Sequence, residues 1–139
     1  MANRELTFEI FRFNPQDPSS EPRLQTFTLE EEPYMTLFRA LNRIREEQDA
    51  TLQFDFSCRS AVCGSCGMMV NGEPVLTCKT FVCDLPEKVR IEPLENFPIE
   101  RDLVVVFDDV IQKLQKVQPY IIRQDPAPEN EGLIERWSL

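Results

Sequence analysis

Four of the chain's five cysteines, Cys58, Cys63, Cys66 and Cys78, lie in one short stretch, CRSAVCGSCGMMVNGEPVLTC. No other feature restricts the fold so tightly. Thiolates are soft, strongly donating metal ligands, and a segment that gathers four of them must curl around one point and set amides against their charge. Gly64 and Gly67 permit tight backbone conformations and let amides approach sulfur without a Cβ in the way. Ser60 and Ser65 carry hydroxyls that can donate to sulfur, or else bond the backbone as ordinary small loop residues. Arg59 either holds positive potential near the sulfurs or is simply exposed.

The first three cysteines follow C-x4-C-x2-C, the spacing of plant-type 2Fe–2S centres, with a fourth further along. This reading makes Cys58, Cys63, Cys66 and Cys78 the ligands of a 2Fe–2S cluster and the chain a carrier of single electrons. Hydrogen bonds from Ser60, Ser65 and loop amides would then raise the reduction potential. A structural zinc site also takes four thiolates. Such sites, however, usually supply two close pairs, and here one C-x2-C has an isolated cysteine on either side. Redox disulfide chemistry at Cys63-Gly64-Ser65-Cys66 would need that motif where a strand meets a helix, whereas this one precedes a hairpin. A set of buried structural cysteines would leave the intervening glycines and serines without a role. Cys83 falls outside the motif and reads as a buried or incidental thiol.

The gap before the fourth cysteine has a structural explanation. Met68 to Val70 and Glu73 to Thr77 flank Asn71-Gly72, a strong two-residue hairpin signal. Centring the turn there pairs Val70 with Glu73 and places Cys66 opposite Thr77, so Cys78 returns beside Cys66. Upstream, alternation predicts a strand over Leu6–Phe13, a turn-rich loop over Asn14–Pro22 and a second strand over Leu24–Glu30. Thr36 can cap a helix running to about Gln48, with Leu37, Leu41 and Ile44 on its apolar face and Arg43, Arg45, Glu46 and Glu47 on a solvated one. The cysteine loop spans about Phe56 to Gly67, and Val89 and Ile91 suggest one more strand.

This order predicts an α+β fold of the β-grasp, plant-type 2Fe–2S ferredoxin-like kind over residues 1–98. Residues 99–139 read as a helix and an irregular linker. Leu103, Val106, Phe107, Val110, Ile111, Leu114 and Val117 recur at helical steps up to Pro119, although the β-branched Val104–Val106 run leaves the first turn open. The tail from Arg123 is polar and proline-bearing.

Composition removes whole classes of function. The net charge is −9, without a basic stripe, which argues against nucleic-acid binding. Histidine is absent, so Ser–His and Cys–His nucleophilic schemes are excluded. No window approaches the roughly 18 apolar residues of a membrane span, and the first residues carry neither a signal-peptide run nor a transit pattern. The sequence therefore reads as cytosolic or matrix-like, a reducing setting in which cysteine clusters mean metal more often than disulfides.

The run CRSAVCGSCGMMVNG, then TCKTF, then ENFPIERDLVV, resembles the N-terminal part of the iron–sulfur subunits of fumarate reductase and succinate dehydrogenase. GSCGMM, NFPIERDLVV and QPYII place it nearest the fumarate reductase branch. The resemblance implies a 2Fe–2S cluster that accepts electrons from an FAD-containing flavoprotein subunit. It also implies membrane anchor subunits in the same complex, and a peripheral position on the cytoplasmic side of a bacterial inner membrane (cytoplasmic if the chain stands alone). Some family members replace one ligand by Asp, but here all four positions are Cys. The family continues into a second domain with a C-x2-C-x2-C-x3-C-P run holding further clusters, and no cysteine follows Cys83. The chain accordingly reads as a fragment cut in the linker, a truncated product or half of a split subunit. Two other readings stand beside this one: a stand-alone 2Fe–2S ferredoxin serving another flavoenzyme, and a four-cysteine zinc-binding interaction module.

Overall fold

Alternating side chains decide the sheet. In a computed structural model, which describes residues 4–122 and 124, Leu6, Phe8 and Ile10 are fully buried on one side of strand β1 (Glu5–Arg12). Strand β2 (Arg23–Glu30) pairs with it antiparallel from Glu5↔Glu30 to Arg12↔Arg23 and adds Phe27 and Leu29 to the same face. Strands β3 (Gly67–Val70) and β4 (Glu73–Leu76) form the expected hairpin, with Val70 opposite Glu73 and Gly67 opposite Leu76. Asn71 and Gly72 both take left-handed backbone angles (φ 50° and 86°), as a type I′ turn requires. Strand β5 (Lys88–Glu92) lies between the two hairpins, parallel to β1 and antiparallel to β3. The sheet order is β2-β1-β5-β3-β4, the mixed α+β arrangement of a β-grasp.

Helix α1 (Leu37–Glu47) starts where Thr36 Oγ1 accepts the Arg39 amide at 3.3 Å. Leu37, Phe38, Ala40, Leu41 and Ile44 form its buried face and share one core with β1, β2 and β5. The first turn of a helix has free N–H groups, and here two of them find fixed partners. Leu37 N donates to the Thr80 carbonyl (2.8 Å) and Phe38 N to the Thr77 carbonyl (3.0 Å). The helix thereby holds the turn that carries Cys78.

The compact first unit runs to Phe107, past the expected boundary at Pro98, and a second unit begins at Asp108. The difference is a bulged hairpin, β6 (Ile99–Arg101) and β7 (Val104–Val105). The β-branched pair Val104–Val105 is therefore strand, not the start of the helix, and Leu103 is buried in the core. Helix α2 (Asp108–Val117) begins later than its apolar periodicity suggests. Asp108 and Asp109 occupy its first turn and Lys116 its last, favourable placements against the helix dipole. The polar tail expected from Arg123 lies outside the described residues except for Gln124. Among those residues no helix is long and apolar enough to cross a membrane.

A polar clamp fixes the β6–β7 turn to the rest. Asp102, with φ 49°, accepts the Phe13 amide on Oδ1 (3.0 Å) and the Gln53 amide on Oδ2 (3.1 Å). Arg12, nearly buried, donates to Gln25, Asp49 and Thr51, each at 2.7 Å. Its Nε faces Asp102 Oδ1 at 3.2 Å as an ion pair, but without hydrogen-bond alignment. The Thr51 hydroxyl, with Arg12 behind it, holds the Asp49 carboxyl well below the usual carboxylate range against the opposing effect of burial.

Asp49 still faces Arg12 when Asp102 is removed, but the Phe13 and Gln53 amides lose their acceptor, so Asp102→Ala should lower stability by about 2 kcal/mol in urea unfolding at neutral pH. The Asp49 contribution has the sign of a depressed carboxylate. It is complete above the unfolded value of roughly 3.9 and is lost as pH falls toward the lower folded value. Asp49→Asn should therefore flatten the acid limb of the stability curve below about pH 4. An unchanged acid limb in that variant would contradict the assignment.

Candidate metal centre

Between Phe56 and Gly67 the chain makes no regular structure, and its geometry is set by where its amides point. Cys58 Sγ faces three backbone N–H groups, those of Ser60 (3.4 Å), Val62 (3.3 Å) and Cys63 (3.3 Å). Cys63 Sγ accepts the Cys58 amide at 3.5 Å and meets the Ser65 hydroxyl at 3.0 Å. Cys78 Sγ accepts the Ala61 amide at 3.3 Å. Such convergence needs unusual backbone. Arg59 and Ala61, neither of them glycine, adopt φ 55° and 61°, and Gly64 adopts 74°. Non-glycine residues visit this region at a cost, so two in three residues mark a loop wound to bring its amides onto sulfur.

The glycines have separate reasons. Gly64 has open space where a Cβ would stand but a left-handed φ, whereas a Cβ on Gly67 would come within 3.2 Å of Leu94 Cδ1 and 3.3 Å of the Gly64 carbonyl oxygen. Gly67 N donates to that same carbonyl at 3.2 Å. Gly67 is thus favoured by a tight approach to its neighbours, and Gly64 by its backbone conformation.

The remaining two cysteines stand at the ends of the β3–β4 hairpin. The Thr77 amide donates to the Cys66 carbonyl at 3.3 Å, the register expected from the sequence, so Cys78 comes back beside Cys66. Cys66 is buried and Cys78 half-buried, while Cys58 and Cys63 are exposed. Val62, between them, is 82% exposed. The site therefore has an outward edge and a core-facing edge.

Local dipoles shift the thiols unequally. The amides of Ser60, Cys63 and Val62, with the Ser60 hydroxyl, pull Cys58 down to about 6. The Ser65 hydroxyl, followed by the Cys58 and Ser65 amides, lowers Cys63. Burial pushes Cys78 up, and the neighbouring Cys66 and Cys58 add to the effect. The thiolate is the metal-binding form, so the exposed pair is prepared for it by the loop itself. The Ser65 hydroxyl thus meets sulfur directly, while Ser60 donates to sulfur through its amide. Arg59 contributes its left-handed backbone.

Cys83 stands apart. It is exposed rather than buried; lost hydration and the adjacent Asp84 carboxylate push its thiol up. Among the described residues no three His, Cys, Asp or Glu side chains are drawn together for a single metal ion. A two-iron cluster spreads its four ligands over two irons, and a donor set of four thiols with amides aimed at three of them fits that group.

One residue that supports the loop is not legible in the sequence. Arg45, expected on the solvated face of α1, lies 4.6 Å from the Phe54 ring centroid and 5.7 Å from that of Phe56. Phe38 packs against both rings, 6.2 Å and 4.8 Å between centroids. This stack holds the segment that leads to Cys58. A lone Arg among Arg and Glu residues on a helix gives no sign that it covers aromatic rings from a later segment.

Comparison with known proteins identifies the kind of domain. A family described as the 2Fe–2S iron–sulfur cluster binding domain matches residues 7–112. The fumarate reductase iron–sulfur subunit of Haemophilus influenzae is 45% identical over 133 residues, 95% of this chain and 51% of that protein. The succinate dehydrogenase iron–sulfur subunit of Coxiella burnetii is 38% identical over 130 residues, 92% of this chain and 54% of that protein. The chain thus spans about half the length of the curated relatives it matches. Among solved structures, a chain of the Mycobacterium smegmatis Sdh1 complex in the apo form superposes with a TM-score of 0.80 at 24% identity, covering 93% of this chain and 53% of that one, and so shares the fold. From its cysteine loop, its sheet and this match together, the chain belongs to the 2Fe–2S iron–sulfur cluster binding domain family, whose cofactor is a 2Fe–2S cluster.

Proposed function

We propose that Cys58, Cys63, Cys66 and Cys78 hold the 2Fe–2S cluster, and that the chain is an electron-transfer part of a fumarate reductase or succinate dehydrogenase. The observation that carries this reading is the set of loop amides on the Cys58, Cys63 and Cys78 sulfurs. When bound, the cluster supplies one-electron redox chemistry. The chain's own residues position the four sulfurs, offset their negative charge with N–H dipoles and leave one edge of the site outward at Val62. No bond of the substrate is made or broken by this chain.

In this role an FAD-containing flavoprotein subunit, where fumarate and succinate are interconverted, exchanges electrons with the exposed edge. Further iron–sulfur clusters, in a part of the complex not contained here, connect the domain to quinone. The relatives named as iron–sulfur subunits of both enzymes support this assignment. Membrane anchor subunits would hold such a complex at the cytoplasmic face of a bacterial inner membrane, with this chain peripheral.

Ligand variants test the cysteine assignment. In the chain loaded anaerobically with iron and sulfide, Cys83→Ser should leave the visible spectrum intact, whereas Cys63→Ala should abolish or strongly bleach it. The opposite pattern would remove Cys63 from the site. A redox titration tests the role. Plant-type centres lie near about −400 mV, and exchange with a fumarate/succinate flavin needs a value well above that. Hydrogen bonds to sulfur from Ser60, Ser65 and the loop amides shift the potential in the required direction. A midpoint at the plant-type value would instead favour a stand-alone ferredoxin serving another flavoenzyme.

A further inference from the structure

The hydroxyl of Thr77 stands where an apolar residue would be the simpler choice. Thr77 is fully buried beside the core at the end of β4. Burying a hydroxyl is unfavourable unless it is hydrogen-bonded, and valine would fill the same space without that requirement. Oγ1 donates to the Cys66 carbonyl at 3.1 Å, and the Thr77 amide donates to the same carbonyl at 3.3 Å. The Thr77 carbonyl in turn accepts the Phe38 amide from the first turn of α1 at 3.0 Å.

All three polar groups of this residue are therefore engaged, and each engagement bears on the cysteines. The two donors grip the peptide of Cys66 just beyond the last ladder pair, Gly67↔Leu76. The carbonyl locks the residue to the helix, and the next residue in the chain is Cys78. The spacing of the two core-side cysteines, which stand at the two ends of the hairpin, is thus set through one residue, whose hydroxyl bond adds to two main-chain ones. A serine at this position would keep the donor; valine would keep the volume and lose it.

We propose that Thr77 is a positioning residue that fixes Cys66 and Cys78 relative to each other for the cluster, an inference that rests on the reading of those two cysteines as ligands. The test compares Thr77→Val and Thr77→Ser with the parent in the full 139-residue chain loaded with iron and sulfide. The readouts are the electron paramagnetic resonance spectrum of the reduced protein, its midpoint potential, and the rate at which a chelator bleaches it. Thr77→Val should bleach roughly tenfold faster, the scale on which residues that orient ligands act, with a displaced resonance spectrum; Thr77→Ser should restore both. A purely structural hydroxyl would lower the urea midpoint of Thr77→Val while leaving its spectrum and bleaching rate at parental values, and that result would overturn the proposal. Cys66→Ser separates the two levels of inference. If that variant keeps the parental spectrum, the ligand reading itself fails, whatever Thr77 does.

Discussion

Four cysteine sulfurs converge on one place from the loop and the two ends of the β3–β4 hairpin, and as ligands of the proposed cluster their negative charges would repel one another unless local dipoles offset them. The means is local backbone. Arg59, Ala61 and Gly64 take left-handed angles, and the turns they create aim the amides of Ser60, Ala61, Val62 and Cys63 at sulfur. A loop built this way has few backbone bonds to itself, so it needs rigid surroundings. The Phe38–Phe54–Phe56 stack under Arg45 steadies the approach to Cys58. The first turn of α1 steadies the turn that carries Cys78.

The β-grasp supplies those surroundings with little excess. Its mixed sheet puts the β3–β4 hairpin beside β5, so both ends of the hairpin, and hence Cys66 and Cys78, are anchored to the core. The Arg12–Asp102 clamp performs the same service on the other side, because Asp102 holds Gln53, only a few residues before the cysteine loop. The same clamp explains why the compact unit extends through β6 and β7 to Phe107.

Much of this was legible in the residues because the relevant signals are short-range. The Asn71-Gly72 turn, the alternation of Leu6, Phe8 and Ile10, and the Thr36 cap each depend on neighbours in sequence, and each stands where expected. The cysteine spacing likewise points directly to the site. What the sequence does not display depends on distant partners. Leu103 and Val106 sit on a helical apolar period, yet Val104 and Val105 between them pair as a strand beside an Asp102 bonded to Phe13 and Gln53. Arg45 reads as solvated, yet covers rings contributed by residues beyond the helix. Thr77 reads as an ordinary strand residue, and its hydroxyl acquires meaning only once Cys66 is placed opposite it.

The central claim is that the four loop cysteines form the cage of one two-iron cluster. Its most direct test is metal and sulfide analysis of the anaerobically purified chain, with zinc measured in the same sample. The account predicts two irons and two acid-labile sulfides per chain, with zinc negligible. One zinc per chain with neither iron nor sulfide would contradict it.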